Sequence, residues 1–182
     1  MSSHNTLTPP PRDWWRHPIG RDEVLWISVA ATWCVIMTFM MVYWYFAGNQ
    51  NQSGEAFRTS PEAFEAKADA MVEKYTIRTE TELEVPVVAV PPGGDVYIVS
   101  SQFQWNVIPE LKLGETYRFH LSSVDVNHGF SLQPINVNLQ LVPGYDYVLN
   151  FTPNAVGTYN IVCNEYCGLG HHTMVGRLYV VE

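Results

Sequence analysis

Val24 to Phe46 is a run of 23 residues without a charge, VLWISVAATWCVIMTFMMVYWYF. As a helix rising 1.5 Å per residue it reaches about 34 Å, enough to cross a hydrocarbon core of about 30 Å. Trp26 near one end and Tyr43, Trp44 and Tyr45 at the other stand where amphipathic rings sit at the two membrane interfaces. A secretory signal is the competing reading, but its apolar part spans only about 7 to 15 residues before a small-residue cleavage site. The run therefore reads as a transmembrane helix. Arg12, Arg16 and Arg21 precede it and only Arg58 follows within reach, so the positive-inside rule puts the N-terminus in the cytoplasm. Four segments result: a cytoplasmic segment 1–23, the span 24–46, a linker with a short helix 47–83, and a β domain 84–182.

The 136 residues after Phe46 hold 15 Asp and Glu against 7 Lys and Arg, so the formal net charge of -8 belongs to this external part. That balance argues against nucleic-acid binding, which needs Lys and Arg in excess, and suits a basic partner. Ala47 to Thr59, with Gly48 and Gly54, reads as a linker. Ser60 followed by Pro61 marks a helix start, and Phe64, Ala68, Met71, Val72 and Tyr75 recur at helical spacing. The apolar face of that helix is expected to dock on membrane or a partner subunit. From Glu84 the period changes to two, with strands expected at 85–90, 95–107, 116–121, 137–142, 147–151, 159–162 and 177–181. Turn signals such as Pro91-Pro92-Gly93-Gly94 and Pro143-Gly144 separate them, which predicts a Greek-key β-sandwich. Phe103 and Trp105 alternate with Gln102 and Gln104, so both rings are expected on one face of a strand.

Three cysteines are too few for a disulfide framework. Cys34 lies mid-span and reads as a small apolar residue. Cys163 and Cys167 open the segment CNEYCGLGHHTM, which adds His171 and Met174 between two expected strands. Two thiolates, an imidazole and a thioether within twelve residues make a soft-metal loop, and Gly168 and Gly170 allow its tight turns. His128, in the expected loop 125–129, supplies a further ligand. A disulfide between the two cysteines would leave the His and Met spacing unexplained. Two Cys and two His are also a tetrahedral zinc set, although a thioether points to copper. A mononuclear blue-copper centre needs a single Cys, so this loop has one thiolate too many; two thiolates can instead bridge two copper ions, each taking one His.

The pattern C-x-E-x-C-G-x-x-H-x-x-M, preceded by D-V-x-H-G-F, resembles the dinuclear copper A (CuA) signature of cytochrome c oxidase subunit II across about Val85 to Glu182. The resemblance implies an all-β, cupredoxin-like Greek-key sandwich behind one N-terminal transmembrane helix. A single helix in place of the commoner helical hairpin is similar to the B-family, or ba3-type, branch. It further implies that Cys163 and Cys167 bridge two copper ions, His128 and His171 bind one each, Met174 is axial and Glu165 ligates through its carbonyl. The Glu165 side chain would help hold magnesium at the boundary with subunit I. Trp105, with Phe103, would take up electrons, and Glu23 matches a carboxylate at the mouth of a proton channel.

On that resemblance the partners are subunit I of a haem-copper oxidase, small membrane subunits, lipid, and a soluble or anchored cytochrome c or other small electron donor. The place is the cell membrane, with the copper domain on the outer, periplasmic face. Electrons would pass from the cytochrome to haem in subunit I, where oxygen is reduced to water with proton translocation. The absence of C-x-x-C-H makes the donor a separate protein. The rival readings are the electron-uptake subunit of a CuA-type nitric oxide reductase and a membrane-anchored copper chaperone. A chaperone would be thioredoxin-like, with a helix after the second Cys, where this sequence has Gly168 and Gly170. A quinol oxidase subunit of this fold would have lost the copper ligands.

Overall fold

Helix α1, Arg21–Ala47, contains the whole apolar run and extends it by three polar residues, because Arg21, Asp22 and Glu23 form its first turn. The Gly20 amide donates to Glu23 Oε2 at 2.8 Å, closing the N-terminus, and the Gly48 amide donates to the Trp44 carbonyl at the other end. Ser28, Thr32 and Thr38 return their hydroxyls to carbonyls one turn back, so the helix presents no unpaired hydroxyl along that stretch. It is long and apolar enough to cross a membrane, and none of its side chains is buried by the protein.

This computed structural model describes residues 12–16, 18–48 and 54–182, in two units, Met1–Asn51 and Gln52–Glu182. Most of the expected cytoplasmic segment, including His4 and His17, and the centre of the expected linker lie outside the described residues.

The second unit runs β1 (Glu55–Arg58), α2 (Pro61–Tyr75), β2 (Thr76–Thr79), β3 (Pro86–Val88), β4 (Asp95–Ser101), β5 (Gln104–Trp105), β6 (Ile108–Lys112), β7 (Tyr117–Ser123), β8 (His128–Gln133), β9 (Val137–Leu141), β10 (Tyr145–Phe151), β11 (Gly157–Val162) and β12 (Val175–Val181). One sheet has the order β1-β10-β7-β4-β5 and the other β2-β3-β6-β12-β11-β8-β9. Val96, Ile98, Phe119, Leu121 and Leu149 from the first sheet meet Leu111, Phe130, Leu132, Ile161 and Leu178 from the second, none more than 2% exposed. Each such burial stabilises the fold by about 1.5–3 kcal/mol. Parallel pairs occur at β4/β7, β3/β6 and β6/β12. No crossover helix is needed for β4/β7, because the chain visits β6 in the opposite sheet between them.

Several local expectations are corrected. Glu55–Arg58 is a strand within the expected linker; it pairs with β10, and its exposed residues give no alternation to read. Helix α2 starts as read, with Ser60 Oγ accepting from the Ala63 amide, but its apolar face docks on its own sheet. Phe64 and Ala68 pack with Val99, Phe64 meets Tyr97 edge-on at 5.6 Å, and the Tyr97 amide donates to Met71 Sδ. Strands β2, β6 and β8 were not expected; Pro109 inside β6 reads as a breaker, and His128-Gly129 reads as loop. The expected strand 95–107 is a hairpin that turns at Gln102-Phe103, so Phe103 and Trp105 do not share a strand face.

Candidate metal centre

The twelve residues from Cys163 to Met174 connect β11 to β12, and both end residues carry sulfur. The ladder runs up to the pair Val162 and Val175, and the Cys163 amide then donates to the Met174 carbonyl at 3.2 Å. That bond closes the neck of the loop and fixes the backbones of Cys163 and Met174 side by side. Inside the loop, amides of His171, Thr173 and Met174 donate to carbonyls of Gly168, Gly170 and His171, forming the tight turn His171–Thr173. Gly168 has φ +136°, a conformation that side chains rarely adopt.

His128 arrives from the side. It begins β8, which pairs with β11, and is fully buried. Its Nδ1 lies 3.8 Å from Cys163 Sγ, while Nε2 lies 2.8 Å from Asp125 Oδ1. Cys167 Sγ is 3.8 Å from Cys163 Sγ, 3.6 Å from His171 Nδ1 and 3.9 Å from Met174 Sδ. The Glu165 carbonyl stands 3.2 Å from Cys163 Sγ. All six residues named from the sequence therefore gather around two free, buried thiols. Ligand atoms of His128, Cys163 and Cys167 lie within 4.8 Å of one another. Thiol, imidazole and thioether groups form a soft donor set that suits copper, and burial limits water at the sulfurs.

The electrostatics follow from burial. Desolvation, reinforced by the neighbouring Cys163 thiol, pushes Cys167 up to about 11 in the metal-free chain. Asp125 moves the other way: its partial burial disfavours charge, but the His128 ring and the amides of Val126 and Gln102 outweigh that and hold the carboxyl low. An ionised Asp125 keeps the proton of His128 on Nε2 and turns Nδ1 towards sulfur.

Three supporting residues escaped the sequence reading. Asp125 is legible in retrospect from its place three residues before His128. Gly129 brings β8 against the loop, where a Cβ would lie 2.0 Å from Asn164 Oδ1 and 2.8 Å from the Glu165 amide. Gln102 donates its side-chain amide to the Cys167 carbonyl and its backbone amide to Asp125 Oδ2 at 2.7 Å, and nothing in the sequence pattern marks it.

Of the two aromatic residues, Phe103 is half-buried and lies over the loop, its ring 2.5 Å from where a Cβ on Gly170 would stand. Trp105 is 2% exposed, against Phe130 and Gly176, and its Nε1 has no hydrogen-bond partner among the described residues. Glu165 is exposed on the loop, and Glu23 belongs to the first turn of α1. His120, which the sequence left without a role, is buried in β7, stacked on Tyr97 and 2.9 Å from Asp146.

The family model "Cytochrome C oxidase subunit II, periplasmic domain" matches residues 97–181. "Cytochrome c oxidase subunit 2" of Thermus thermophilus is 35% identical over 116 residues, which is 61% of this chain and 86% of that protein. The chain belongs to the cytochrome c oxidase subunit II family. "Heme-copper oxidase subunit 2" of Aeropyrum pernix is 32% identical over 116 residues, 50% of this chain and 47% of that one. Among solved structures, a chain of a heme-copper terminal oxidase dimer superposes with TM-score 0.57 at 19% identity, over 88% of this chain and 100% of that chain. Its fold is thus the cupredoxin-like sandwich with one apolar N-terminal helix that the resemblance implied. As a subunit II, including its B-family type, the chain is a component of an oxidoreductase with a copper-binding domain.

Proposed function

We propose that this subunit II receives electrons at a dinuclear CuA centre from an external cytochrome c and delivers them to haem in subunit I, where oxygen is reduced with proton translocation. The observation that carries the reading is the duplication in the donor set. Two thiols 3.8 Å apart each have an imidazole nitrogen of their own, His128 at 3.8 Å and His171 at 3.6 Å. A further donor flanks each, the Glu165 carbonyl beside Cys163 and Met174 Sδ beside Cys167. One tetrahedral ion would leave two of these six donors over, whereas two ions use them all. Two copper ions held there would supply reversible one-electron transfer.

The rest of the chain serves that step. Paired β11 and β12 hold the loop ends, so the ligands keep their places as charge changes. Phe103, lying over Gly168 and Gly170, and Trp105, buried against Gly176, are the electron-uptake residues. Leu169 is 91% exposed and Tyr166 74% exposed on the same loop, which supports an apolar contact with partners. Helix α1 anchors the subunit in the cell membrane beside subunit I, small membrane subunits and lipid, with its N-terminus cytoplasmic and the copper domain periplasmic. Glu165, exposed beside the thiols, contributes a carboxylate to magnesium at the subunit I boundary. Glu23 serves proton uptake as well as capping α1. Stopped-flow mixing of the copper-loaded chain with reduced cytochrome c tests the proposal. Oxidation of the cytochrome in step with copper reduction is expected, and copper that stays oxidised contradicts it.

A further inference from the structure

The two copper-binding segments come from different parts of the chain. His128 is carried by β8, and the other donors by the loop between β11 and β12. Direct contacts link them at Gly129, but a third segment, the turn between β4 and β5, bonds to both. Gln102 in that turn donates its backbone amide to Asp125 Oδ2 at 2.7 Å, and Asp125 holds His128 Nε2 at 2.8 Å through its other oxygen. The Gln102 side-chain amide donates to the carbonyl of Cys167. The space for that second arm exists because residue 168 is glycine; a Cβ there would stand 2.8 Å from Gln102 Nε2. Gln102 is exposed, so no gain in core packing explains its position.

From this we infer that Gln102 is a positioning residue for the copper centre, a two-armed strut that fixes the Cys167 side of the site relative to the His128 side. This rests on the copper reading above. The backbone arm survives any substitution except proline, while the side-chain arm depends on an N–H donor. An amide dipole aimed at the Cys167 carbonyl fixes the peptide that carries the second thiolate and draws electron density from it. Asp125 alone cannot do this, because His128 is the one donor of the centre that it bonds among the described residues. Outer partners of this kind typically change metal affinity about 10- to 100-fold.

The test uses the full chain in detergent, loaded with copper. Gln102→Ala removes the arm, Gln102→Glu keeps its shape but turns a carboxylate towards the carbonyl, and Gln102→Lys restores a donor. Copper transfer to a chelator, the electron paramagnetic resonance spectrum and the reduction midpoint are measured, beside melting of the copper-free chains. Expected for Gln102→Ala and Gln102→Glu are copper loss about tenfold faster or more, an altered hyperfine pattern and a shifted midpoint. Copper-free melting should match the unsubstituted chain, and Gln102→Lys should recover copper retention. Unchanged retention, spectrum and midpoint in Gln102→Ala overturn the inference. So does a copper-free melting loss that accounts for the whole effect. Failure of the unsubstituted chain to bind two coppers overturns the copper reading, and this inference with it.

Discussion

Cys163 Sγ and Cys167 Sγ face each other across 3.8 Å, both free and both buried, with His128 Nδ1 3.8 Å from the first and His171 Nδ1 3.6 Å from the second. The near-symmetry of the pair means that neither thiol is redundant. Cys163→Ser or Cys167→Ser should reduce the chain from two coppers to one or none, with loss of the shared-electron spectrum. Metal analysis and visible absorption check this, and two coppers retained in either variant would contradict the pairing.

Gly129 tests the contact between the two ligand segments. Gly129→Ala would set a Cβ 2.0 Å from Asn164 Oδ1 and 2.8 Å from the Glu165 amide, so the loop must move. Overpacking of this kind typically costs about 1–3 kcal/mol. The expected result is a lower melting temperature and about tenfold weaker copper binding in a chelator titration.

Helix α2 belongs to the sandwich. Phe64 is 1% exposed among Ala68, Val99 and Tyr97, so Phe64→Ala should destabilise the domain by about 3–5 kcal/mol in denaturant unfolding. A loss below about 1 kcal/mol would mean that the helix needs another surface to dock on.

Phe103 is packed over the loop at Gly168 and Gly170. Phe103→Leu should slow reduction by cytochrome c at least several-fold while the copper spectrum stays unchanged. Trp105→Leu should slow it too, with an added loss of stability, because Trp105 fills space against Phe130 and Gly176. A normal reduction rate in both variants would remove the aromatic pair from the electron path.

Acid stability has a specific source far from the copper loop. Tyr179 Oη donates to Glu80 Oε2 at 2.6 Å, and this bond, helped by Arg177 against partial desolvation, lowers the Glu80 carboxyl. A carboxyl lowered on folding stabilises above its unfolded value, about 4.3, and that contribution disappears as pH falls through the lower folded value. The melting deficit of Glu80→Gln should therefore be present at neutral pH and vanish in acid. A deficit constant from about pH 7 to about pH 3 would contradict the assignment.

The candidate donors were legible because their chemistry is concentrated: Cys163, Cys167, His171 and Met174 share one loop, and soft donors at such spacing have few other uses. The anchor was legible for the same reason, as a single uninterrupted apolar run. What escaped was set by distant neighbours. Glu55–Arg58 owes its strand to β10, some ninety residues away, and not to its own pattern. His128 looked like loop because Asp125, Asn127 and Gly129 are turn formers, yet its ladder to Leu141 makes it a strand residue. Pro109 hid β6, and Gln102 hid its two bonds because an exposed glutamine carries no pattern at all.

Copper stoichiometry with electron paramagnetic resonance on the copper-loaded chain tests the central claim most directly. Two coppers per chain, with one unpaired electron shared between them, is the predicted result. One copper with a spectrum localised on a single ion, or zinc held in preference to copper, would contradict it.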